Sequence, residues 1–195
     1  MSNAASYYDA NTEQFLQSTL VVDMTEQYNF FLSHLPSGST LLDAGCGSGR
    51  DSLAFTQMGY AVEAFDLSKA MVEATKRLVA IPVRQMGFSD LDYLDHFDGI
   101  WASASLLHVP QNEMSATFTL LSKALKPSGI LFCSFKDREQ DFSKEGRSFT
   151  CFTVPAFQKF VQQQGQFELL EILQTTDSRS DRAGEKWINA VLRKR

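Results

Sequence analysis

Apolar and polar residues alternate along the chain in blocks that predict strands and helices in turn. The nearly continuous apolar runs, typical of strands buried on both faces, are 41–42, 60–65, 97–102 and 130–135. The segments with apolar residues at three- and four-residue spacing, which predicts helices, are 53–58, 68–80 and 110–125. A short further strand is expected at 83–86. Strands that alternate with helices in this way indicate an α/β fold with a mainly parallel sheet.

The two ends of the chain add elements of a different kind. Residues 7–35 carry aromatic and aliphatic residues at helical spacing and predict two helical pieces, which stop at Pro36. Toward the other end the pattern predicts a helix at 153–164. It is followed by two antiparallel strands at 167–173 and 187–192, which a polar segment at 175–184 joins. No internal repeat interrupts the chain, so we expect one domain with a helical cover.

The segment 40–66 combines a strand, a turn, a helix and a second strand, with an acidic residue at the tip of each strand. The first strand ends in Asp43 and the second in Asp66, and the turn carries Gly45, Gly47 and Gly49. Glycines allow a sharp turn close to a ligand, and the following helix presents free backbone N–H groups and its positive dipole end. Ligands of parallel sheets bind beyond the carboxyl ends of the strands. The unit therefore predicts a nucleoside site in which Asp66 accepts hydrogen bonds from both ribose hydroxyls.

The spacing of the glycines distinguishes between classes of nucleoside. A dinucleotide-binding turn, G-x-G-x-x-G, would need glycine or alanine in place of Arg50, and counted from Gly47 it would need glycine or alanine in place of Ser52. The sequence also lacks the Gly-Lys-Ser/Thr of a P-loop. Its D-x-G-x-G-x-G pattern puts a carboxylate at the base of the turn, which would repel a pyrophosphate but suits an ammonium group. S-adenosylmethionine, with a ribose, an amino-acid end and no phosphate, fits this pattern better.

The run DAGCGSGR with the downstream FDLS resembles motif I and the following acidic motif of class I S-adenosylmethionine-dependent methyltransferases, and the likeness extends from about Tyr7 to the C-terminus. Within that superfamily the chain is similar to the type 11 and type 25 methyltransferases and to a small bacterial branch that includes tellurite-resistance-type methyltransferases. The resemblance implies a three-layer, Rossmann-like α/β sandwich with a seven-stranded, mostly parallel sheet and an antiparallel last strand. It also implies that residues 1–36 form an N-terminal helical cover on a methyltransferase domain at 37–195.

The resemblance further implies which residues bind the cofactor. The expected contacts are the backbone of Gly45, Cys46 and Gly47, Asp43 at the base of the turn, Arg50 on the methionine carboxylate, Asp66 on the ribose, Leu67 and Phe88 beside the adenine, the carbonyl of Ala102 on the ammonium group, and Tyr8 or Tyr7 facing the methyl donor. Arg50 is equally consistent with a surface arginine, and the two tyrosines with aromatic packing. Gly87 stands where many relatives carry an acid for the adenine amino group, and Asp90 is a weaker substitute.

His108 is the candidate general base, because it is the histidine near the predicted methyl position and imidazole titrates near physiological pH. A cap on the neighbouring turn or helix is the alternative role. Lys136, Arg138 and Arg147 could hold an anionic acceptor, although nothing in their spacing requires it. They belong to the polar segment 136–147, for which we expect a solvated surface loop or, as the alternative, a lid over the substrate.

Composition narrows the class of function. A net charge of −5, with no basic run except the tail 193–195, disfavours a nucleic-acid substrate. The three cysteines are unclustered and predict buried thiols, and no metal-ligand spacing is present. Since no apolar stretch reaches transmembrane length and no signal segment leads the chain, we expect a cytoplasmic protein without a membrane partner.

We therefore expect a methyltransferase for a small-molecule acceptor, acting by in-line methyl transfer as a monomer or weak homodimer. The acceptor stays open between a chalcogen oxyanion, which the branch resemblance suggests, a thiol and a small carboxylate. Two alternatives remain at this point. One is a non-catalytic, regulatory protein that binds S-adenosylmethionine, and the other is a nicotinamide-dependent oxidoreductase, which the glycine pattern opposes.

Overall fold

The computed structural model describes residues 3–177 and 184–195, in which helices cover both faces of a seven-stranded sheet. Within these residues the α-helices are α1 (Asn3–Ala10), α2 (Thr12–Thr19), α3 (Thr25–Leu32), α4 (Arg50–Gln57), α5 (Lys69–Leu78), α6 (Gln111–Ala124) and α7 (Val154–Gln164). The strands are β1 (Thr40–Ala44), β2 (Ala61–Asp66), β3 (Val83–Gln85), β4 (Phe97–Ala102), β5 (Leu125–Lys136), β6 (Phe142–Lys144), β7 (Arg147–Phe149), β8 (Phe167–Thr176) and β9 (Lys186–Lys194).

The strand order in the large sheet is β3-β2-β1-β4-β5-β9-β8, while β6 and β7 form a separate hairpin. Every pairing in the large sheet is parallel except those of β9, which runs antiparallel to both β5 and β8. This confirms the prediction of a mostly parallel, seven-stranded sheet with an antiparallel last strand. The strand order reverses between β1 and β4, and open α/β sheets bind ligands beyond the strand ends at such a point.

The central strands are apolar throughout because helices remove both of their faces from water. On one face, Trp101 of β4 stacks on Phe132 of β5 with ring centroids 3.9 Å apart. Phe31 of α3 and Phe55 of α4 pack against the same indole, at centroid distances of 5.4 and 5.2 Å. The other face is buried under α6 and α7, which contribute residues such as Phe118 to a second apolar cluster. This two-sided burial explains why these strands read as continuous apolar runs.

The N-terminal region has three helices where the sequence predicts two helical pieces, because the first piece is broken at Asn11. The backbone of Asn11 leaves the helical region at φ −120° and ψ 26°. Its side-chain Nδ2 donates to the carbonyl of Tyr7 at 2.8 Å, a local bond of the kind by which asparagine competes with a helix.

Helix α1 is attached to the rest of the domain through Asp9. The Asp9 carboxylate accepts hydrogen bonds from Ser68 Oγ at 2.6 Å and from the Ala70 amide at 3.1 Å. These bonds attach α1 to the start of α5.

The polar segment 136–147 is exposed along most of its length, as predicted for a solvated loop, but both of its ends are buried. Lys136 is 4% exposed and Arg147 is 5% exposed. The segment contains β6 and the turn of the β6–β7 hairpin, whose two turn residues, Glu145 and Gly146, have positive φ angles of 53° and 75°. Two left-handed residues are typical of the tight turns that match the twist of paired strands. The alternative of a substrate lid stays a prediction.

Lys136 and Arg147 are buried because side chains from other segments of the chain contact their charged groups. The ammonium group of Lys136 pairs with Glu185 and Asp177 and lies 3.9 Å from the centre of the Trp187 ring. The guanidinium of Arg147 lies 3.6 Å from the centre of the Tyr7 ring. Because these partners come from the two ends of the chain, the local sequence cannot reveal them.

The last two strands are longer than predicted, because their pairing continues through polar residues at both ends. The prediction of a polar connection at 175–184 falls partly outside the described residues, since 178–183 are not among them. Of the helices in the described parts of the chain, none has the length and apolar character needed to cross a membrane.

Candidate functional site

A cavity of about 1220 Å³ lies beyond the carboxyl ends of the parallel strands. One side is formed by residues that follow these strands: Gly45, Cys46, Gly47 and Ser48 after β1, Asp66 and Leu67 at the end of β2, Gly87 and Phe88 after β3, and Ser103, Ala104 and Ser105 after β4. The opposite side is formed by residues of α1 and α2, which we call the cover, including Tyr8 and Phe15. Segments that are far apart in the sequence thus line one cavity.

The glycine turn after β1 lies in direct contact with the segment that follows β4. A Cβ atom on Gly45 would stand 2.4 Å from the Cβ of Ser105, and Gly45 has a left-handed φ of 83°. The hydroxyl of Ser105 donates to the carbonyl of Ala44 at 2.6 Å, and the amides of Gly45 and Cys46 both donate to the carbonyl of Phe65 at 2.9 Å. The ends of β1, β2 and β4 are therefore tied together behind the cavity.

The contact predicts that Gly45→Ala destabilises the protein. Left-handed backbone costs a residue with a Cβ about 1–2 kcal/mol, and the overlap with Ser105 adds about 1–3 kcal/mol. The free energy of unfolding measured in urea should fall by the sum. Gly59→Ala is the matched control, because Gly59 has a φ of 88° and no atom within 4 Å of the place that an alanine methyl group would take. Equal losses in the two variants would contradict a close approach at Gly45.

Asp66 lies at the tip of β2 with its carboxylate fixed by the backbone of two loops. Its Oδ2 accepts from the Gly47 amide at 2.9 Å, and its Oδ1 accepts from the Ser68 amide at 2.8 Å. Burial raises the pKa of Asp66 to about 6, although the two amide bonds act in the opposite direction. Each oxygen keeps a lone pair for a further donor, and the residue lines the cavity. This is the arrangement that the predicted ribose contact requires, and the contact itself stays a prediction.

The end of the cavity beside β3 is apolar. Leu67 is 41% exposed, and Phe88 packs edge-to-face on Phe65 with ring centroids 5.2 Å apart. Asp90, the weaker candidate for the adenine amino group, turns back so that its Oδ2 accepts from the Gly87 amide at 2.8 Å. Leu67 and Phe88 thus line the same space as Asp66, as the predicted adenine site requires. Their contact with adenine stays a prediction.

Two of the predicted cofactor residues lie behind the cavity lining. Asp43 is 3% exposed, and its Oδ2 accepts a hydrogen bond from Ser52 Oγ at 2.6 Å. Burial and the neighbouring Asp51 raise the pKa of this carboxyl group. Ala102 is fully buried at the end of β4, and Ser103 is the next residue along the lining. The structure thus places Asp43 as a support under the glycine turn, and the predicted contacts of both residues with a ligand stay predictions.

Asp51, which the sequence does not single out, is the centre of a buried hydrogen-bond network. Its carboxylate accepts from the Tyr28 hydroxyl at 2.5 Å and from Trp101 Nε1 at 2.8 Å, and it pairs with Arg50 through two bonds of 2.6 and 3.0 Å. Burial alone would raise the pKa of Asp51, but the charge of Arg50 and these hydrogen bonds hold it below the usual value. A third nitrogen of Arg50 lies 3.4 Å from the carbonyl of Thr19.

This network positions Arg50 along the cavity lining, next to the glycine turn. The arginine is therefore not a surface residue of α4, which was the alternative interpretation, and its predicted pairing with a methionine carboxylate stays a prediction. The only local signal for Asp51 is its position beside Arg50 in the first turn of the helix. Its other partners, Tyr28 and Trp101, lie 23 and 50 residues away in the sequence.

Tyr8 and His108 meet across the cavity. The hydroxyl of Tyr8 lies 3.0 Å from His108 Nε2, and His108 Nδ1 lies 3.0 Å from the carbonyl of Ser148 in β7. Because a carbonyl only accepts, we assign the ring proton to Nδ1, so that Nε2 accepts from Tyr8. Burial lowers the pKa of His108 to about 4, and the positive charge of Arg147 acts in the same direction. The imidazole is therefore neutral at physiological pH, and it joins α1 to the hairpin.

Phe15 is a further residue that the sequence did not point to. A Cβ atom on Gly47 would lie 3.2 Å from the Phe15 ring, and this ring packs edge-to-face on Tyr8 with centroids 4.9 Å apart. Aromatic residues of α1 and α2 thus lie directly over the glycine turn. In the sequence, the helical spacing of these aromatic residues indicates amphipathic helices, but it does not show which surface their apolar faces contact.

The lining fits S-adenosylmethionine better than a dinucleotide. Its acidic side chains in the described part of the chain are Asp23, Glu26, Asp51, Asp66, Asp90, Glu113 and Asp177, and its cations are Arg50, Lys136 and Arg147. Each cation already has a carboxylate partner. Beside the glycine turn the carboxylates of Asp51 and Asp66 outnumber the guanidinium of Arg50, and this local excess opposes a pyrophosphate and suits a ligand with ammonium and sulfonium charges. The Asp66 carboxylate and the glycine turn, which both line the cavity, match the ribose and amino-acid ends of the same ligand.

Comparison with known proteins agrees with this chemistry. A family model described as a methyltransferase domain matches residues 41–129. The chain is 27% identical over 199 residues to the cypemycin N-terminal methyltransferase of a Streptomyces species, a match that covers 98% of this chain and 76% of that protein. Over 98 residues it is 35% identical to the S-adenosyl-L-methionine-dependent Diels-Alderase iliD of Neonectria sp. (strain DH2), covering 49% of this chain and 37% of that protein.

Among solved structures, the 1,6-didemethyltoxoflavin-N1-methyltransferase of Burkholderia thailandensis superposes with a TM-score of 0.81 at 21% sequence identity. The match covers 97% of this chain and 84% of that one. That structure contains 1,6-didemethyltoxoflavin and S-adenosylhomocysteine. At this identity the comparison establishes the fold.

Proposed function

We propose that the chain is a class I S-adenosylmethionine-dependent methyltransferase whose methyl acceptor is a small organic molecule bound inside the cavity. The observation that carries this proposal is the attachment of the cover over the cavity. The cover is attached on one side by Asp9 to Ser68 and on the other by Tyr8 to His108. A cavity of about 1220 Å³ beneath it has room for the cofactor and a compact second molecule. The acceptor named in the Burkholderia neighbour is also small, which supports the proposal.

When bound, S-adenosylmethionine supplies a methyl group already activated on a sulfonium sulfur. The residues of this chain then have to position the acceptor and exclude water, and positioning alone contributes about 7–11 kcal/mol to such reactions. We propose that Asp66 and the glycine turn hold the nucleoside and that Arg50 holds the carboxylate of the methionine end. The rings of Tyr8 and Phe15 close the site from above.

We propose that His108 and Tyr8 act on the acceptor rather than on the cofactor. The neutral imidazole holds the Tyr8 hydroxyl at 3.0 Å, so the phenol oxygen is oriented at the cavity lining. With a pKa of about 4, His108 is a weak base. It therefore suits an acceptor that releases its proton after the methyl group has arrived, as an amine or ring nitrogen does, because methylation makes that proton more acidic.

The test is a methyl-transfer assay on the whole chain. S-adenosylmethionine with a labelled methyl group is incubated with phenols, thiols, amines, nitrogen heterocycles, carboxylates and peptides with free N-termini. We expect S-adenosylhomocysteine to form in equal amount with a labelled small product, as measured by mass spectrometry. Label recovered only in peptides would contradict a small acceptor.

Binding of S-adenosylhomocysteine without turnover of any acceptor would instead favour the alternative of cofactor binding without methyl transfer. The similarity to an S-adenosyl-L-methionine-dependent Diels-Alderase supports this alternative, because the reaction in that protein's name is not a methyl transfer. The monomeric or weakly dimeric state, the cytoplasmic location and the division of the chain at residue 36 stay predictions.

A further inference from the structure

We infer that the methyl acceptor carries an anionic oxygen, such as a carboxylate, which pairs with Arg147. This inference rests on the proposed function, because it names the class of small molecule that the cavity takes. It starts from a buried cation whose hydrogen-bonding capacity the described residues use only in part.

Arg147 is the first residue of β7, is 5% exposed and lines the cavity. Its guanidinium lies 3.6 Å from the centre of the Tyr7 ring, 5.4 Å from that of Phe149 and 5.7 Å from that of Tyr8. Its Nη2 donates to Glu145 at 2.6 Å. Its Nε is buried and has no hydrogen-bond partner among the described residues.

A guanidinium in this setting needs more acceptors than it has. It carries five N–H donors in one plane. Glu145 and the Tyr8 hydroxyl accept from part of this set, and Nε is left without an acceptor among the described residues. The carboxylate that pairs with it, that of Glu145, is half exposed at the hairpin turn, so its charge is screened by solvent. Buried donors without acceptors are costly, and an anion that entered the cavity would satisfy them.

The planar donor set favours a planar anion. Arginine binds carboxylates through two parallel N–H···O bonds, and stacking on Tyr7 fixes the plane in which such an anion would lie. Lys136, the other buried cation near this end of the cavity, is held between Asp177 and Glu185, so its charge is already balanced. Arg147 is therefore the group that selects for charge in the acceptor.

The position of Arg147 assigns it to the acceptor rather than to the cofactor. It belongs to the same cluster as Tyr8 and His108, whose ring lies 4.9 Å from that of Phe149, two residues after Arg147. The methionine carboxylate has a separate candidate partner in Arg50, which lies beside the glycine turn. An anion bound at Arg147 would hold an aromatic or aliphatic acceptor against the Tyr8 and His108 pair.

The experiment measures binding by calorimetry to the protein saturated with S-adenosylhomocysteine. The probes are 4-hydroxybenzoate, 3,4-dihydroxybenzoate and 2-aminobenzoate, each compared with its carboxamide. We expect at least one acid to bind at least tenfold more tightly than its amide. Arg147→Gln should remove this preference by weakening the acid at least tenfold, while the amide and S-adenosylhomocysteine bind as before. Arg138→Gln is the matched control, because Arg138 is exposed and stacks on Phe142 outside the cavity lining.

Equal binding of acids and amides, absence of acid binding, or a preference that survives Arg147→Gln would overturn the inference. Weaker binding of S-adenosylhomocysteine by the variant would also overturn it, since Arg147 would then belong to the cofactor site. If Arg147→Gln does not fold, the Nε–H resonance of Arg147 in the unaltered protein provides the test, because it should shift with the acids and not with the amides. Methylation of neutral acceptors alone would overturn this inference and leave the proposed function intact. Binding of the acids at Arg147 without methyl transfer would overturn the proposed function and leave the anion site intact.

Discussion

Replacing Asp66 with alanine is expected to weaken the binding of S-adenosylmethionine and S-adenosylhomocysteine by at least 100-fold. A hydrogen bond to a charged group contributes about 1.5–3 kcal/mol, and the predicted ribose contact makes two. Losing both amounts to about 3 kcal/mol or more, which corresponds to at least two orders of magnitude in affinity. The variant also releases the Gly47 and Ser68 amides that Asp66 now holds. Titration calorimetry measures the affinity directly.

The pH dependence of binding gives a second readout of the same contact. Ribose hydroxyls donate to the ionised carboxylate, and Asp66 in the free protein has a pKa of about 6. Above that pH the group is already ionised, so affinity should be constant. Below it, binding must release a proton, and affinity should fall by up to about tenfold for each pH unit. Asp66→Asn should abolish this dependence.

Asp92→Ala is the matched control, because Asp92 is an exposed carboxylate that pairs with Arg84 away from the cavity lining. It should leave both the affinity and the pH profile unchanged. An Asp66→Ala variant that binds S-adenosylhomocysteine as the unaltered chain does would remove the ribose assignment and, with it, the placement of the cofactor in this cavity.

The sequence predicts the parts of this site that depend on local geometry. Asp66 ends a strand, and Gly45 occupies a turn that needs a left-handed backbone close to another loop. Such features are encoded within a few residues, as are the apolar runs of the central strands. The parallel direction of the central strands follows from their alternation with helices, because parallel strands need crossover connections.

The parts that the sequence does not predict depend on contacts between distant segments. Asp51 is an ordinary acid on a first helical turn until the structure brings Tyr28 and Trp101 to its carboxylate. Arg147 lies in a polar segment that is typical of a surface loop, and only its contact with Tyr7 shows that it is buried. A charged residue can be buried when other residues pair with its charge and accept or donate its hydrogen bonds. When those partners are distant in the sequence, the local pattern gives no sign of them.

The second large effect is expected at this network, where Asp51→Ala should lower the free energy of unfolding by about 3–5 kcal/mol. The variant removes one partner of a buried ion pair and leaves the charge of Arg50 and the donors of Tyr28 and Trp101 without an acceptor. In a domain of this size the loss corresponds to a melting temperature lower by about 10 °C. Thermal and urea unfolding of the protein without ligand measure it.

A double variant separates the contribution of the ion pair from that of the site. Arg50→Met combined with Asp51→Leu removes both charges, so it should be more stable than Asp51→Ala alone, because no uncompensated charge is left buried. It should nevertheless bind S-adenosylhomocysteine weakly, since the predicted partner of the methionine carboxylate is gone. Glu73→Ala, which removes an exposed partner of Lys76, is the control and should change stability by less than about 0.5 kcal/mol. If Asp51→Ala lowers the free energy of unfolding by less than about 1 kcal/mol, the network is not a buried, charged one. If the double variant recovers stability but not binding of S-adenosylhomocysteine, the ion pair serves to place Arg50 at the cavity rather than to stabilise the fold.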